Sequence, residues 1–191
     1  VYKRQVLHTG QRDEDFTWRM VNERRGGELL GTHVAQQQPH RLAFLAMRSD
    51  DEAAGTERCE AVLAQLDPSV TECHVFHVEN YELTPREQIE QALSLEPDFI
   101  VCASDRFCIE LFRVLDERGL SVPHDIRVAS FGNHPFGALP GISLTTVAYD
   151  YEELGRDIAA TAIAMARGGE VTFGSCDFPV ELIVRNSSVR P

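Results

Sequence analysis

Short apolar runs alternate with amphipathic stretches along most of the chain. Five runs have the length and composition of buried strands: RLAFLAM (41–47), CHVFHV (73–78), DFIVCA (98–103), IRVASF (126–131) and FPVELIV (178–184). Between them, apolar residues recur at three- and four-residue spacing, which predicts amphipathic helices. Alternation of strands and helices is typical of right-handed βαβ units. The pattern therefore predicts an α/β fold with parallel sheets flanked by helices.

Local signals place the predicted helices. The stretch 22–38 has helical spacing, although Gly26 and Gly27 weaken it, and 52–66 and 151–167 each carry one apolar stripe. Thr84-Pro85-Arg86-Glu87 combines a capping box with proline at the first helical position, so a third helix begins there. A fourth follows Ser104 and ends near Gly119, because glycine is favoured just after a helix.

Polar side chains collect where the predicted strands end. In open parallel sheets, ligands bind outside the carboxyl ends of the strands. The turns at those ends, 48–52, 79–83, 103–105 and 132–137, contain Arg48, Asp50, Asn80, Tyr81, Ser104, Asp105, Asn133 and His134. Amides, a hydroxyl, carboxylates, an arginine and an aromatic ring together suit a small polyhydroxylated ligand.

Charge and cysteine usage narrow the function classes. The chain has eighteen Lys and Arg residues and thirty Asp and Glu residues, which gives a net charge of −12. Because binding to phosphate groups needs a positive surface, this charge argues against direct binding of DNA or an anionic membrane by this chain. Five cysteines without C-x-x-C spacing favour reduced thiols in a cytoplasm, most of them small buried side chains. The sequence has no membrane span, signal segment, G-x-S-x-G, P-loop or H-E-x-x-H. We expect no cofactor, no metal and no catalytic residue.

Four segments carry a family resemblance. They are VPHDIRVASFGNHPFGALPGISLTTVAYDYEELGRDIA, CASDRFCIELFRVLDERGL, FPVELIVRNSSVRP and RLAFLAM followed by TERCEAVLAQL. In order and spacing this combination resembles the regulatory core of the lactose-repressor (LacI/GalR) family over about residues 20–191. The second segment departs from the family pattern, since it lacks the usual small alanine and glycine.

The resemblance implies a periplasmic-binding-protein-like core of two α/β subdomains joined by crossovers near Val21, Tyr149–Tyr151 and 172–176. Residues 22–149 and 173–191 would form the C-terminal, ligand-binding subdomain. Residues 1–21 and 150–172 would be the remnant of an incomplete N-terminal subdomain. We expect the helix-turn-helix to be absent from this chain and interpret the opening VYKRQ as a candidate non-native string.

The resemblance also implies ligand contacts. Arg58 stands where the family carries an effector-binding arginine, and Tyr81 where an aromatic ring packs on the sugar. Ser104 and Asp105 occupy the place of a polar Asn-Asp or Ser-Asp pair, and Tyr149 lies at the second crossover. Each has a simpler alternative: a solvated helix arginine, a loop tyrosine, a helix N-cap for Ser104, and packing for Tyr149.

The turn after IRVASF differs from the family. Gly132-Asn133 replaces a frequent Asp-Asp, so the carboxylate that accepts bonds from sugar hydroxyls is lost there, although Asn133 can both donate and accept. The turn therefore leaves the identity of the sugar open. His134 is interpreted as a turn residue rather than a metal ligand, because no second histidine stands at ligand spacing.

Together these features predict the effector-sensing domain of a cytoplasmic LacI-type regulator that binds a sugar-like ligand in the cleft between subdomains. The resemblance implies a homodimer with Ile109, Phe112 and Leu139 at its interface, the alternative being core packing. Operator DNA would be bound only through the missing N-terminal domain. The main alternative is a periplasmic sugar-binding protein of an ABC transporter, which the unpaired cysteines disfavour. An enzyme is a more distant third.

Overall fold

A computed structural model describes residues 7–8, 17–49, 51–79, 85–168 and 176–190. Tyr81, Asp50 and the opening residues 1–5 lie outside this described part. The chain divides into two units, each taken by itself here. Unit 1 comprises Val1–Asn22 and Tyr149–Val180, and unit 2 comprises Glu23–Ala148 and Glu181–Pro191. The last boundary follows Val180, whereas the sequence places it near 172–176.

The described residues contain nine strands and five α-helices. The strands are β1 (Leu7–His8), β2 (Thr17–Val21), β3 (Arg41–Ala46), β4 (Glu72–His77), β5 (Phe99–Cys102), β6 (Arg127–Phe131), β7 (Thr145–Ala148), β8 (Cys176–Phe178) and β9 (Glu181–Ile183). The helices are α1 (Glu23–Gln36), α2 (Arg58–Leu63), α3 (Arg86–Leu93), α4 (Asp105–Glu117) and α5 (Tyr151–Ala166). A π-helical segment, Glu52–Glu57, leads directly into α2.

Unit 2 is built on a six-stranded sheet in the order β4-β3-β5-β6-β7-β9. The first five strands run parallel, and β9 pairs antiparallel with β7. Every residue of β5, β6 and β7 is buried, as expected for strands with helices on both faces. The prediction of an α/β fold with parallel sheets is confirmed.

The run FPVELIV is not one strand. Its first residue ends β8, which pairs with β2 in unit 1, and its later residues form β9, which pairs with β7 in unit 2. Pro179 lies between them and has no N–H to donate to a ladder, so the run is interrupted where the chain changes sheets. The prediction of a single closing strand is wrong.

The core of unit 2 packs α3 and α4 against the sheet. Phe107, Leu111 and Leu115 on α4 are buried as the stripe predicts, while Phe112 is only partly buried against the same core. Cys59, Cys102 and Cys108 are buried free thiols, and burial raises the pKa of Cys59 to about 12. Cys73 on the edge strand β4 is exposed and Cys176 on β8 is half-buried, so three of the five cysteines are buried.

Unit 1 contains a small parallel sheet in the order β1-β2-β8 and the helix α5. Arg19 on β2 is buried, and its Nε donates to Asp157 Oδ2 on α5 at 2.6 Å. Most of α5 is exposed, with Thr161 and Met165 as its buried residues. Within the described residues, no helix combines the length and apolar character that a bilayer span requires.

Hydrogen bonds of buried hydroxyl groups connect the C-terminal residues of unit 2 to α1 and to the sheet. Ser188 lies 2.7 Å from His33 Nε2 on α1 and 2.6 Å from the hydroxyl of Thr145 on β7. Ser187 accepts from Thr145 N–H at 2.8 Å and donates to Val128 O at 2.6 Å. Burial lowers the pKa of His33 below its ordinary value of 6.5, because the charged ring is poorly solvated there.

We expect unit 2 to lose stability as the pH falls below about 6.5, because unfolded His33 gains a proton there and the buried ring does not. The stability that unit 2 gains from the neutral His33 ring is fully present above that pH. His33→Gln should reduce the fall in the urea midpoint between pH 7.5 and 5.5, and His40→Gln, an exposed control, should not. An unchanged pH dependence in His33→Gln would contradict this role.

Candidate functional site

The carboxyl ends of β3, β5 and β6 meet at one edge of the unit 2 sheet, because these strands are adjacent and parallel. Ser104, directly after β5, has extended backbone, and its hydroxyl accepts from Arg106 N–H at 3.3 Å. The N-cap role considered for Ser104 is therefore confirmed. The residue is half-buried, and its contact with a ligand stays a prediction.

Asp105 is fully buried at the start of α4. Its Oδ1 accepts from the hydroxyl of Thr146 at 2.9 Å, and its Oδ2 accepts from His134 N–H at 2.7 Å. These two bonds connect the first turn of α4 to β7 and to the turn after β6. The geometry therefore gives Asp105 a positioning role, in addition to the ligand contact that the sequence predicts.

The turn after β6 uses backbone conformations that few residues tolerate. Gly132 has φ +130° and Asn133 has φ +50°, in the region where glycine and asparagine are enriched. Asn133 N–H donates to the Thr146 hydroxyl at 3.1 Å, and Asn133 Oδ1 accepts from Arg185 Nη2 at 2.9 Å. Among the described residues, Nδ2 of Asn133 has no hydrogen-bond partner, so this side chain presents a donor.

Arg185 is a site residue that the sequence alone does not reveal. Besides its bond to Asn133, its Nη1 donates to Leu144 O at 2.5 Å, which orients the guanidinium beside the turn. It lies within the segment FPVELIVRNSSVRP, so the family pattern contains it. No local spacing connects it to Asn133, which is far away in sequence.

Arg58 opens α2 and reaches the same edge. Its Nε donates to Glu23 Oε2 at 2.6 Å and its Nη2 to Glu23 Oε1 at 2.7 Å, forming a two-point ion pair. Its Nη1 donates to Ala103 O at 2.6 Å, and the guanidinium lies 5.1 Å from the centroid of the Phe131 ring. Arg58 is thus fixed in place and is not the freely solvated helix arginine of the simpler alternative.

The aromatic and histidine candidates are placed differently. Tyr149 belongs to unit 1, where its ring lies 4.2 Å from that of Tyr151 between centroids. The His134 ring stacks on Phe136 with centroids 6.3 Å apart. Within the described ranges, no group of three or more His, Cys, Asp or Glu side chains is arranged to hold a metal ion.

The three predicted interface residues differ in exposure. Ile109 on α4 is 60% exposed, and Leu139 after β6 is 53% exposed. Phe112 is partly buried against the core. Part of its side chain therefore packs in the core, and the rest is accessible for an interface. Two large exposed apolar side chains are compatible with a contact surface, and the interface stays a prediction.

A cavity of about 520 Å³ lies elsewhere, at the amino ends of the strands. Its lining includes Arg41 at the start of β3 and Glu72 at the start of β4. These two side chains form an ion pair with a 2.9 Å contact. Ligands of open α/β sheets bind at the opposite, carboxyl edge, so the Arg58 edge remains the candidate site.

Residues 29–188 match the periplasmic binding protein-like domain family. The arabinose metabolism transcriptional repressor of Geobacillus stearothermophilus is 28% identical over 178 residues, which are 88% of this chain and 48% of that protein. The chain therefore spans about half the length of this curated relative.

Solved structures share the fold. A periplasmic binding protein/LacI transcriptional regulator from Alkaliphilus metalliredigens, complexed with D-xylulofuranose, has a TM-score of 0.84 at 19% identity, covering 98% of this chain and 72% of that one. The lac repressor dimer bound to operator and an anti-inducer has a TM-score of 0.84 at 20% identity, covering 99% and 67%. The chain belongs to the periplasmic binding protein-like domain family, in the form carried by the lactose-repressor (LacI/GalR) regulators.

Proposed function

We propose that this chain is the effector-sensing domain of a LacI-type transcriptional regulator and that unit 2 is its ligand-binding subdomain. The observation that carries the proposal is the constellation at the carboxyl edge of the sheet. Arg58 bonds to the residue before Ser104, and Asp105 bonds to the turn that holds Asn133. Arginine, hydroxyl and amide groups fixed around one edge suit a ligand with many oxygen atoms.

The proposed ligand is a sugar or a sugar derivative. The Geobacillus relative is a repressor of arabinose metabolism, and the Alkaliphilus structure contains D-xylulofuranose. Both point to pentose-sized or larger polyols. Arg58, Ser104 and Asn133 would contact the ligand directly, and Tyr81 and Tyr149 remain candidates for stacking on its apolar face.

A regulator is favoured over a transporter's binding protein. The Geobacillus relative is named as a transcriptional repressor, and the lac repressor structure is a dimer on operator DNA. We propose a cytoplasmic homodimer that contacts operator DNA through a domain outside this chain, without turnover of the ligand. Ile109 and Leu139 would contribute to the dimer interface. Coding sequence upstream would decide: a helix-turn-helix supports the regulator, and a signal peptide overturns it.

Ligand binding should stabilise the chain measurably. At 100 times its dissociation constant, a sugar that binds only the folded state adds about 2.7 kcal/mol to the free energy of unfolding. We expect at least one of arabinose, ribose, sucrose, maltose, lactose and trehalose to raise the urea midpoint. If none of them does so at any concentration, the proposal of a sugar sensor fails.

Arg58 is tested together with its partner, because Arg58→Ala alone would leave the buried Glu23 carboxylate unpaired. The double variant Arg58→Gln/Glu23→Gln should fold and lose the sugar response. Arg25→Gln/Glu28→Gln removes an exposed ion pair from the same region of α1 and should keep it. A full sugar response in the Arg58 double variant would contradict the proposed contact.

A further inference from the structure

The charge of Arg58 is already compensated inside unit 2. The side chains of Arg58 and Glu23 are 13% and 10% exposed, and two hydrogen bonds join them in a fork. Three of the five N–H groups of Arg58 are used by Glu23 and Ala103 O. The fork made by Nε and Nη2 is therefore occupied, and a phosphate or carboxylate can use that fork only by displacing Glu23.

Two further charged residues, Asp105 and Arg185, lie beside the turn after β6. Asp105 carries a fully buried negative charge whose two hydrogen-bond donors, Thr146 and the His134 backbone, are uncharged. Arg185 lies on the other side of the same turn and bonds to uncharged oxygen atoms. The formal charges of Arg58, Arg185, Glu23 and Asp105 thus sum to zero.

A phosphorylated ligand meets two unfavourable conditions at such an edge. It would bring negative charge close to Glu23 and Asp105, where burial strengthens repulsion between like charges. To use the Nε–Nη2 fork of Arg58, it would also have to displace Glu23 and leave that carboxylate unpaired in a poorly solvated place. An uncharged hydroxyl does neither of these things.

A neutral sugar can instead use the pair as it stands. A carboxylate oxygen has capacity for more than one hydrogen bond, so Glu23 can accept from a sugar hydroxyl while it holds Arg58. This matters because Gly132-Asn133 provides no carboxylate at the turn after β6. Glu23 is the acidic acceptor that the turn itself lacks.

We propose that the ligand of this site is an uncharged sugar, and that Glu23 is the specificity-determining residue that excludes phosphorylated and carboxylated sugars. This inference rests on the proposed function, since it concerns the same site. Glu23 acts in two ways, by pairing with Arg58 and by accepting a hydrogen bond from a sugar hydroxyl.

The experiment measures binding of matched neutral and phosphorylated probes to the full chain by calorimetry. The pairs are ribose with ribose 5-phosphate, glucose with glucose 6-phosphate, and trehalose with trehalose 6-phosphate, plus inorganic phosphate alone. The wild-type chain should bind a neutral member at least about tenfold more tightly than its phosphorylated partner. Glu23→Gln should reduce that preference by about tenfold or reverse it, because the carboxylate that repels a phosphate and occupies the fork of Arg58 is then absent.

Two further variants test whether the charge itself is responsible. Glu23→Asp keeps the carboxylate and should keep the preference for the neutral member. Glu28→Gln removes an exposed acid from the same helix and should change neither affinity. If Glu23→Gln does not fold, the wild-type comparison and Glu23→Asp still decide the ligand class.

The outcomes separate this inference from the proposed function. A wild-type chain that binds the phosphorylated member as tightly as the neutral one overturns the inference and leaves a sugar sensor in place. An unchanged preference in folded Glu23→Gln overturns the role of Glu23. If the chain binds none of the neutral or phosphorylated probes, the proposed function is overturned, and this inference with it.

Discussion

Asp105→Ala is expected to lower the free energy of unfolding of unit 2 by about 3 kcal/mol, because two hydrogen bonds to a buried carboxylate are lost. The Thr146 hydroxyl is buried, and the half-buried His134 N–H loses its acceptor as well. Without Asp105, the bond between the start of α4 and the backbone of His134 is lost. The sugar response should therefore disappear even at low denaturant. Urea unfolding with and without the responsive sugar measures both effects.

Two variants sharpen this prediction. Asp105→Asn keeps the size of the side chain but replaces one acceptor with an amide donor, so it can satisfy only one of the two bonds and should lose less stability than alanine. Asp116→Ala changes an exposed acid on the same helix and should stay within about 0.5 kcal/mol of wild type. A wild-type midpoint for Asp105→Ala would show that the turn is held by other contacts.

The order of strands and helices could be predicted from the sequence because buried strands appear in it as continuous apolar runs. The strands RLAFLA, FIVC and RVASF are continuous apolar runs, which is how a strand covered on both faces looks. The run FPVELIV has the same look but is shared between two sheets. An apolar run indicates that a segment is buried and does not indicate which strand it pairs with.

The candidate site was predictable in part. The turn chemistry of Ser104, Asp105 and Asn133 can be inferred locally, because strand ends in parallel sheets converge. Glu23 and Arg185 could not be found in that way, since each meets its partner only through the tertiary fold. Both look like ordinary surface charges in the sequence, and only their tertiary contacts give them a role.

The position of Arg58 depends on how closely two helices approach. A Cβ built on Gly27 would lie 2.5 Å from Ala61 Cβ and 2.9 Å from Arg58 O, so α1 and α2 touch where these residues meet. Gly27, one of the two glycines that weaken 22–38 as an isolated helix, is thus what allows this contact. Glu23 begins α1 and Arg58 begins α2, and the ion pair between them follows from the helix packing.

Gly31→Ala should therefore destabilise unit 2 by about 2 kcal/mol, although alanine is the better helix former by about 1 kcal/mol. The added Cβ would lie 2.6 Å from Val62 O and 2.9 Å from Val62 Cα, both backbone atoms that can yield only if α2 moves. Movement of α2 displaces Arg58 from Glu23, so the sugar affinity should fall together with the urea midpoint.

Gly155→Ala is the matched control, since it is the same substitution in the middle of another helix. A Cβ at Gly155 meets nothing within 4 Å among the described residues, so only helix propensity acts, and the variant should be more stable by up to about 1 kcal/mol. Opposite signs for one substitution at two helical glycines would separate packing from propensity. If Gly31→Ala stabilised the chain as Gly155→Ala does, the close contact of α1 with α2 would not be what positions Arg58.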